Sequence, residues 1–109
     1  MSNKDRISAS HILIMHKESQ DSRSDITKEK AESIINSLYD EIVNDKISFK
    51  DAAVNNSDCS SGKQGGSLGE FGKGMMVKPF EDVVFSLDVN EVSKPFESDF
   101  GFHIAKRDS

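Results

Sequence analysis

NSDCSSGKQGGSLGEFGKGMMVKPF, residues 56–80, holds the only cysteine, six of the seven glycines, two adjacent methionines and one of the two prolines. Glycine costs roughly 1 kcal/mol of backbone freedom at each position in a regular element. Six glycines between positions 62 and 74 therefore exclude a stable helix or a long ordinary strand. The stretch reads as a folded-back loop region between regular elements. Long loops in small domains are functional or disordered. Leu68, Phe71, Met75, Met76 and Phe80 are too apolar for disorder. We read the stretch as the wall of a site, with a short strand at 67–72 inside it.

Upstream, residues 1–6 are polar and expected to fray. Residues 7–16 carry His-Ile-Leu-Ile-Met, short, rich in β-branched residues and free of glycine and proline. That is a strand, central by its apolarity. Alternation puts His11, Leu13 and Met15 on one face and Ile12 and Ile14 on the other. Residues 17–26 are polar and of mixed charge, a surface loop. Thr27 suits an N-cap. Ala31, Ile34, Ile35, Leu38, Ile42 and Val43 then recur at three- and four-residue steps, so 28–44 is an amphipathic helix. Ser48 with Asp51 resembles a capping box opening a short helix that buries Phe49, Ala52 and Ala53.

Downstream, Pro79 fits the first turn of a helix whose apolar face is Phe80, Val83, Val84 and Leu87. Residues 92–98 form a candidate edge strand, because Pro95 cannot donate to a ladder. Residues 99–101 turn, and 102–107 make a last strand with Phe102 and Ile104 on one face and His103 and Ala105 on the other. Strands, then helices, then strands again give an α+β fold with helices packed on a small sheet.

The 109 residues suffice for one core and one domain, spanning 1–109. A net charge of −5 argues against general nucleic-acid binding and gives no reason to expect an anionic membrane as partner. One cysteine forms no internal disulfide. The N-terminus shows no cleavable leader, and no segment is apolar enough to span a membrane. Cytosol or nucleus is the default expectation.

The candidates for chemistry are His11, Cys59, His103 and nearby hydroxyls. A single histidine in an apolar strand is ordinarily a hydrogen-bonded core residue, and a lone cysteine a small hydrophobe. Terminal strands that pair centrally would, however, bring His11 and His103 together on one face. Lys63 beside glycines lacks the phosphate-loop pattern, and the cysteine and histidines lack metal-ligand spacing, so neither metal nor cofactor is expected. A Cys-His hydrolase remains open, with Cys59, a histidine, and Ser98 or Asp99 as orienting group.

Five blocks carry a resemblance. They are Ala9-Ser10-His11-Ile12-Leu13, Ser57-Asp58-Cys59-Ser60-Ser61, Gly66-Ser67-Leu68-Gly69, Lys78-Pro79-Phe80-Glu81-Asp82 and Gly101-Phe102-His103-Ile104. In order and spacing, from Arg6 to Arg107, the chain resembles the parvulin family of peptidyl-prolyl cis-trans isomerases. The Asp-Cys-Ser-Ser block is most similar to the eukaryotic Pin-type branch, here read as the catalytic domain alone without a WW domain. The resemblance implies an FKBP-like fold: a four-stranded, mainly antiparallel sheet with about four helices. It implies that His11 and His103 are paired in the site, that Cys59 faces the substrate amide and that Ser98 joins the histidine network. It further implies that Leu68, Met76 and Phe80 hold the substrate proline ring. The implied activity is non-covalent rotation about Xaa-Pro bonds of proteins, by a monomer without cofactor. A binding module that recognises proline segments without turnover is the alternative.

Phosphate-preferring relatives carry a lysine four residues after the first histidine and adjacent arginines in the following loop. Here that position is Met15, and the loop offers Lys17 and Arg23 among carboxylates. These two are the candidates for binding a phosphorylated or acidic residue before proline. Phe100 also departs from the Pin-type pattern, where a small residue is common.

Overall fold

The computed structural model describes residues 6–20, 22 and 24–109. The elements in order are β1 (Arg6–Ile14), α1 (Lys28–Val43), α2 (Phe49–Asn56), a 3-10 turn (Ser60–Gln64), β2 (Ser67–Gly72), α3 (Lys78–Ser86), β3 (Phe96–Ser98) and β4 (Gly101–Arg107). The strands form one antiparallel sheet in the order β2-β1-β4-β3. The first and last strands are thus its centre, as the apolar runs at 7–16 and 102–107 require. Three α-helices and the 3-10 turn stand where about four helices were expected.

Each sheet face has its own core. Ile12, Ile14, Phe102 and Ile104 point to one side, where α1 and α2 cover them with Ala31, Ile35, Leu38, Ile42, Phe49, Ala52 and Ala53. Ile7, Ala9, Phe71 and Ala105 point to the other, against Phe80 and Val84 of α3. The two-residue alternation of β1 and β4 makes this division. Both caps expected on the first two helices form: Thr27 Oγ1 accepts from Lys30 N at 3.1 Å and Ser48 Oγ from Asp51 N at 3.0 Å. Each satisfies a backbone donor that the first helical turn otherwise leaves unpaired.

The edge strand differs from expectation. It occupies Phe96–Ser98 rather than 92–98, with Val92 making only an isolated bridge to Lys106. Pro95 supplies no donor, and at Ser93 a side chain replaces the ladder. Ala105 N donates to Ser93 Oγ at 3.0 Å, while Ser93 N donates to Ala105 O at 2.7 Å. The strand β1 also ends at Ile14, two residues early, and the 3-10 turn was not foreseen.

Candidate active site

The site grows from the register of the two central strands. Leu13 pairs with His103 and His11 with Ala105. Directly opposed residues of an antiparallel pair share a face, so both histidines point to the α3 side. They meet there, Nδ1 to Nδ1 at 3.2 Å, with rings stacked at 5.4 Å. His11 is 7% exposed and His103 3%. Ser98, at the end of β3, closes the row with Oγ 2.6 Å from His103 Nε2.

Hydrogen bonds link the protons of the three side chains into one row. Phe100 N donates to Ser98 Oγ at 3.1 Å, so that oxygen already accepts one bond. One proton is shared between Ser98 Oγ and His103 Nε2, and the His103 tautomer decides which of them donates. With the serine as donor, a neutral His103 carries its proton on Nδ1 and donates it to His11 Nδ1. His11 in turn presents Nε2–H, a buried atom without a hydrogen-bond partner. Burial, and then the His11 ring, push His103 down to about 3, which keeps it neutral.

The 57–59 segment is fastened along β1 where β2 no longer pairs with it. Leu13 N donates to Ser57 Oγ at 3.0 Å, Asp58 N to Leu13 O at 2.7 Å and Met15 N to Asp58 Oδ2 at 2.8 Å. Side chains here substitute for a strand, and they set Cys59 beside His11. The His11 ring is the main influence holding the Cys59 thiol down, to about 6, against burial; the Ser61 hydroxyl, 3.2 Å from the sulfur, adds to it. The influence of His11 is mainly of hydrogen-bonding type and only slightly coulombic, although Nε2 has no partner of ordinary hydrogen-bond geometry. Gly66 explains why the glycine-rich stretch can pass so close. It has φ +85°, and any side chain there would collide with the His11 carbonyl oxygen. Its own carbonyl accepts from His11 N at 2.9 Å.

In front of the histidines lies a cavity of about 250 Å³. Leu68, Met76 and Phe80 line it with His11, His103 and Cys59. Phe80 stands edge-on to His11 at 5.5 Å, and Phe96 stacks on His103 at 5.1 Å. The 73–77 loop is tied over α3 by Gly74 N donating to Glu81 Oε1 at 2.6 Å, which carries Met75 and Met76 to the rim.

The family model of the rotamase, PPIC-type PPIase domain matches residues 11–109. The chain belongs to this family. It is a peptidyl-prolyl cis-trans isomerase of the parvulin, Pin-like kind. It is 40% identical to peptidyl-prolyl cis-trans isomerase Pin1 of Arabidopsis thaliana over 98% of both chains. It is 43% identical to peptidyl-prolyl cis-trans isomerase ESS1 of Saccharomyces cerevisiae over 94% of this chain and 65% of that one. Its structure superposes on peptidyl-prolyl isomerase ESS1 from Candida albicans with a TM-score of 0.93 at 32% identity, covering 100% of this chain and 66% of that one. On TbPIN1 the TM-score is 0.87 at 35% identity, with both chains fully covered.

Of the residues singled out in the sequence, His11, Cys59, Leu68, Met76, Phe80 and His103 converge on one cavity, and Ser98 joins them through His103. Lys17 is exposed at the start of the 17–26 loop and does not line this cavity. Arg23 lies outside the described residues. Reasoning from the sequence missed Phe96, Ser57, Asp58 and Ser61. Phe96 could have been found, since period two puts it on the face that pairs with His103. Nothing in the sequence shows that Ser57 and Asp58 would bond to β1.

Proposed function

We propose that the chain, as one domain over 1–109, isomerises Xaa-Pro bonds by rotation without covalent chemistry, with His11, Cys59, Ser98 and His103 as its polar wall. Leu68, Met76 and Phe80 grip the ring. The observation that carries this reading is the stacked histidine pair at the back of an apolar cup of a size suited to a proline side chain.

Rotation about the bond loses amide resonance, a barrier of about 20 kcal/mol. No bond breaks, so no nucleophile is needed. The planar amide is charge-separated and well solvated by water, while the twisted amide is less so. A dry cup therefore favours the twisted state. Holding the ring fixed lets the carbonyl side swing. A Cys59 sulfur carrying negative charge beside that carbonyl disfavours the planar form's partial O⁻ in the same direction. The Ser98–His103–His11 row holds the His11 ring in place at the back of the cup.

A hydrolytic role for Cys59 finds less support, because the base beside it is oriented by another imidazole and not by a carboxylate. We further propose a monomer in cytosol or nucleus, which size-exclusion chromatography and localisation of a tagged chain would test. Its free cysteine suits such a reducing compartment. A phosphorylated or acidic residue before proline would need cations from the loop that holds Lys17 and Arg23. The deciding experiment is exchange spectroscopy by NMR on a Xaa-Pro peptide. Acceleration by the wild type, much reduced in Met76→Ala, is expected. Cleavage of the peptide or a trapped thioester would overturn the reading.

A further inference from the structure

The strand β3 is three residues long, and two of the three act on one ring. Phe96 lies directly opposite His103 in the ladder, and Ser98 follows it at the two-residue step that keeps both on the α3 side. Ser98 Oγ meets the edge of the imidazole at Nε2, 2.6 Å away. The Phe96 ring meets its face, with 5.1 Å between centroids and an interplanar angle of 10°. A hydrogen bond at the edge fixes where Nε2 points; a ring lying flat on the imidazole fixes its plane. His11 comes from β1, on the other flank of β4, so His103 is held from both neighbouring strands. Glu97, between the two jaws, turns to the opposite face of the sheet, where its carboxylate meets Lys28 Nζ of α1 at 3.0 Å.

Resting on the isomerase reading, we infer that Phe96 is a positioning residue for the reaction: it sets the plane of His103, and with it the His103–His11 contact behind the cup. Phe96 does not line the cup, so it acts through the imidazole and not on the peptide. Parallel, offset rings at this separation attract each other beyond the area they bury. The phenyl ring also covers the imidazole from water, and burial is the first cause that holds His103 below its ordinary range. A leucine in its place would keep the apolar bulk and lose the plane. The grip on the proline ring has separate support, because Phe80 leans on Phe71 at 6.1 Å as well as on Phe96 at 6.1 Å. Loss of the stack should therefore appear in turnover and not in binding.

The test compares wild type, Phe96→Leu and Phe96→Tyr on one Xaa-Pro peptide by exchange NMR across peptide concentrations, with urea midpoints to confirm folding. Phe96→Leu should lower kcat by roughly two- to tenfold, the range of one aromatic pair, with KM little changed. Phe96→Tyr keeps the ring and should keep the wild-type rate. The His103 ring protons should lie upfield in wild type and Phe96→Tyr, under the ring current of the stacked aromatic, and move downfield in Phe96→Leu. If Phe96→Leu does not fold, Phe96→Met, apolar and adaptable in shape, carries the same expectations. Unchanged kcat in the folded variant, a loss confined to KM, or an equal loss in Phe96→Tyr would overturn the positioning role and leave the isomerase intact. Failure of the wild type to accelerate the peptide would overturn the isomerase reading itself.

Discussion

His11 and His103 lie 92 positions apart in sequence and meet Nδ1 to Nδ1 at 3.2 Å. Only one of the two nitrogens can hold a proton between them when both rings are neutral. The contact therefore makes the tautomer of one ring dictate that of the other, and the Ser98 hydroxyl is hydrogen-bonded at the far end of the row. The histidines act as a unit, so their substitutions should not add. His11→Asn and His103→Asn should each lower kcat/KM, and the double variant should be little worse than the worse single one. A double-mutant cycle on a Xaa-Pro peptide measures the coupling, expected at about 1–3 kcal/mol for a buried contact. Strict additivity would show that the rings work independently.

Acid should weaken the fold through His103. Its folded value of about 3 lies below the ordinary 6.5. A histidine held neutral when folded takes up a proton on unfolding, so the unfolded state binds more protons between those values. The stability it contributes is complete above 6.5 and is lost as pH falls towards 3. The slope is about 1.4 kcal/mol per pH unit for one proton. Urea unfolding of wild type and His103→Asn at pH 7 and pH 5 checks it, the variant losing less on acidification.

Cys59 should react as a thiolate near neutrality. With its thiol lowered to about 6 from an ordinary 9.0, alkylation by iodoacetamide should reach half its maximal rate near pH 6. His11→Asn should move that midpoint back towards the ordinary value, and Ser61→Ala should move it less, following the order of the two influences. A wild-type midpoint near 9 would show that the imidazole does not act on the sulfur.

Much of this arrangement can be read in the chain before any coordinates. The run around His11 is apolar on both faces of a strand, which demands a central place, and the same holds for Phe102 to Ala105. Two central strands at opposite ends of a sequence pair with each other, and the alternation then puts both histidines on one side. The caps at Thr27 and Ser48 are local and form as expected. What is hidden depends on partners distant in sequence. Ser57 and Asp58 read as loop polar residues, yet they complete the edge of β1. Ser93 reads as a strand residue, yet its hydroxyl interrupts the ladder. Side-chain substitution for backbone hydrogen bonds leaves no periodic trace, and so the length of β3 and the 3-10 turn after Cys59 escape the pattern.

Phe71 tests the packing beneath the site. It is 1% exposed and packs its ring against Phe80 and Phe85 at 6.1 and 6.2 Å. Phe71→Ala should cost about 3–5 kcal/mol, the usual range for a buried phenylalanine. The floor of the cup is the same Phe80, so KM for a Xaa-Pro peptide should rise as well. Phe71→Leu should recover most of the stability and most of the KM. Urea denaturation alongside steady-state kinetics separates the two effects.

With the Ser98 hydroxyl as donor to His103, Ser98→Ala removes that donor while leaving the side-chain volume almost unchanged. His103 Nε2 is then a buried acceptor without a donor, an arrangement that costs about 1–3 kcal/mol. The ring can escape that cost by moving its proton. The row then reverses: His11 donates through Nδ1 and carries a bare, buried Nε2 in place of an N–H. Nitrogen-15 shifts of the two imidazoles distinguish the forms, with His11 protonated on Nε2 in the wild type and on Nδ1 in the variant. Activity should fall roughly tenfold with KM little changed, because the ring pocket of Leu68, Met76 and Phe80 does not touch Ser98. Ser98→Thr, which keeps the hydroxyl, should restore both the wild-type tautomer and the rate. A variant that keeps His11 protonated on Nε2 would show that another group sets the direction of the row.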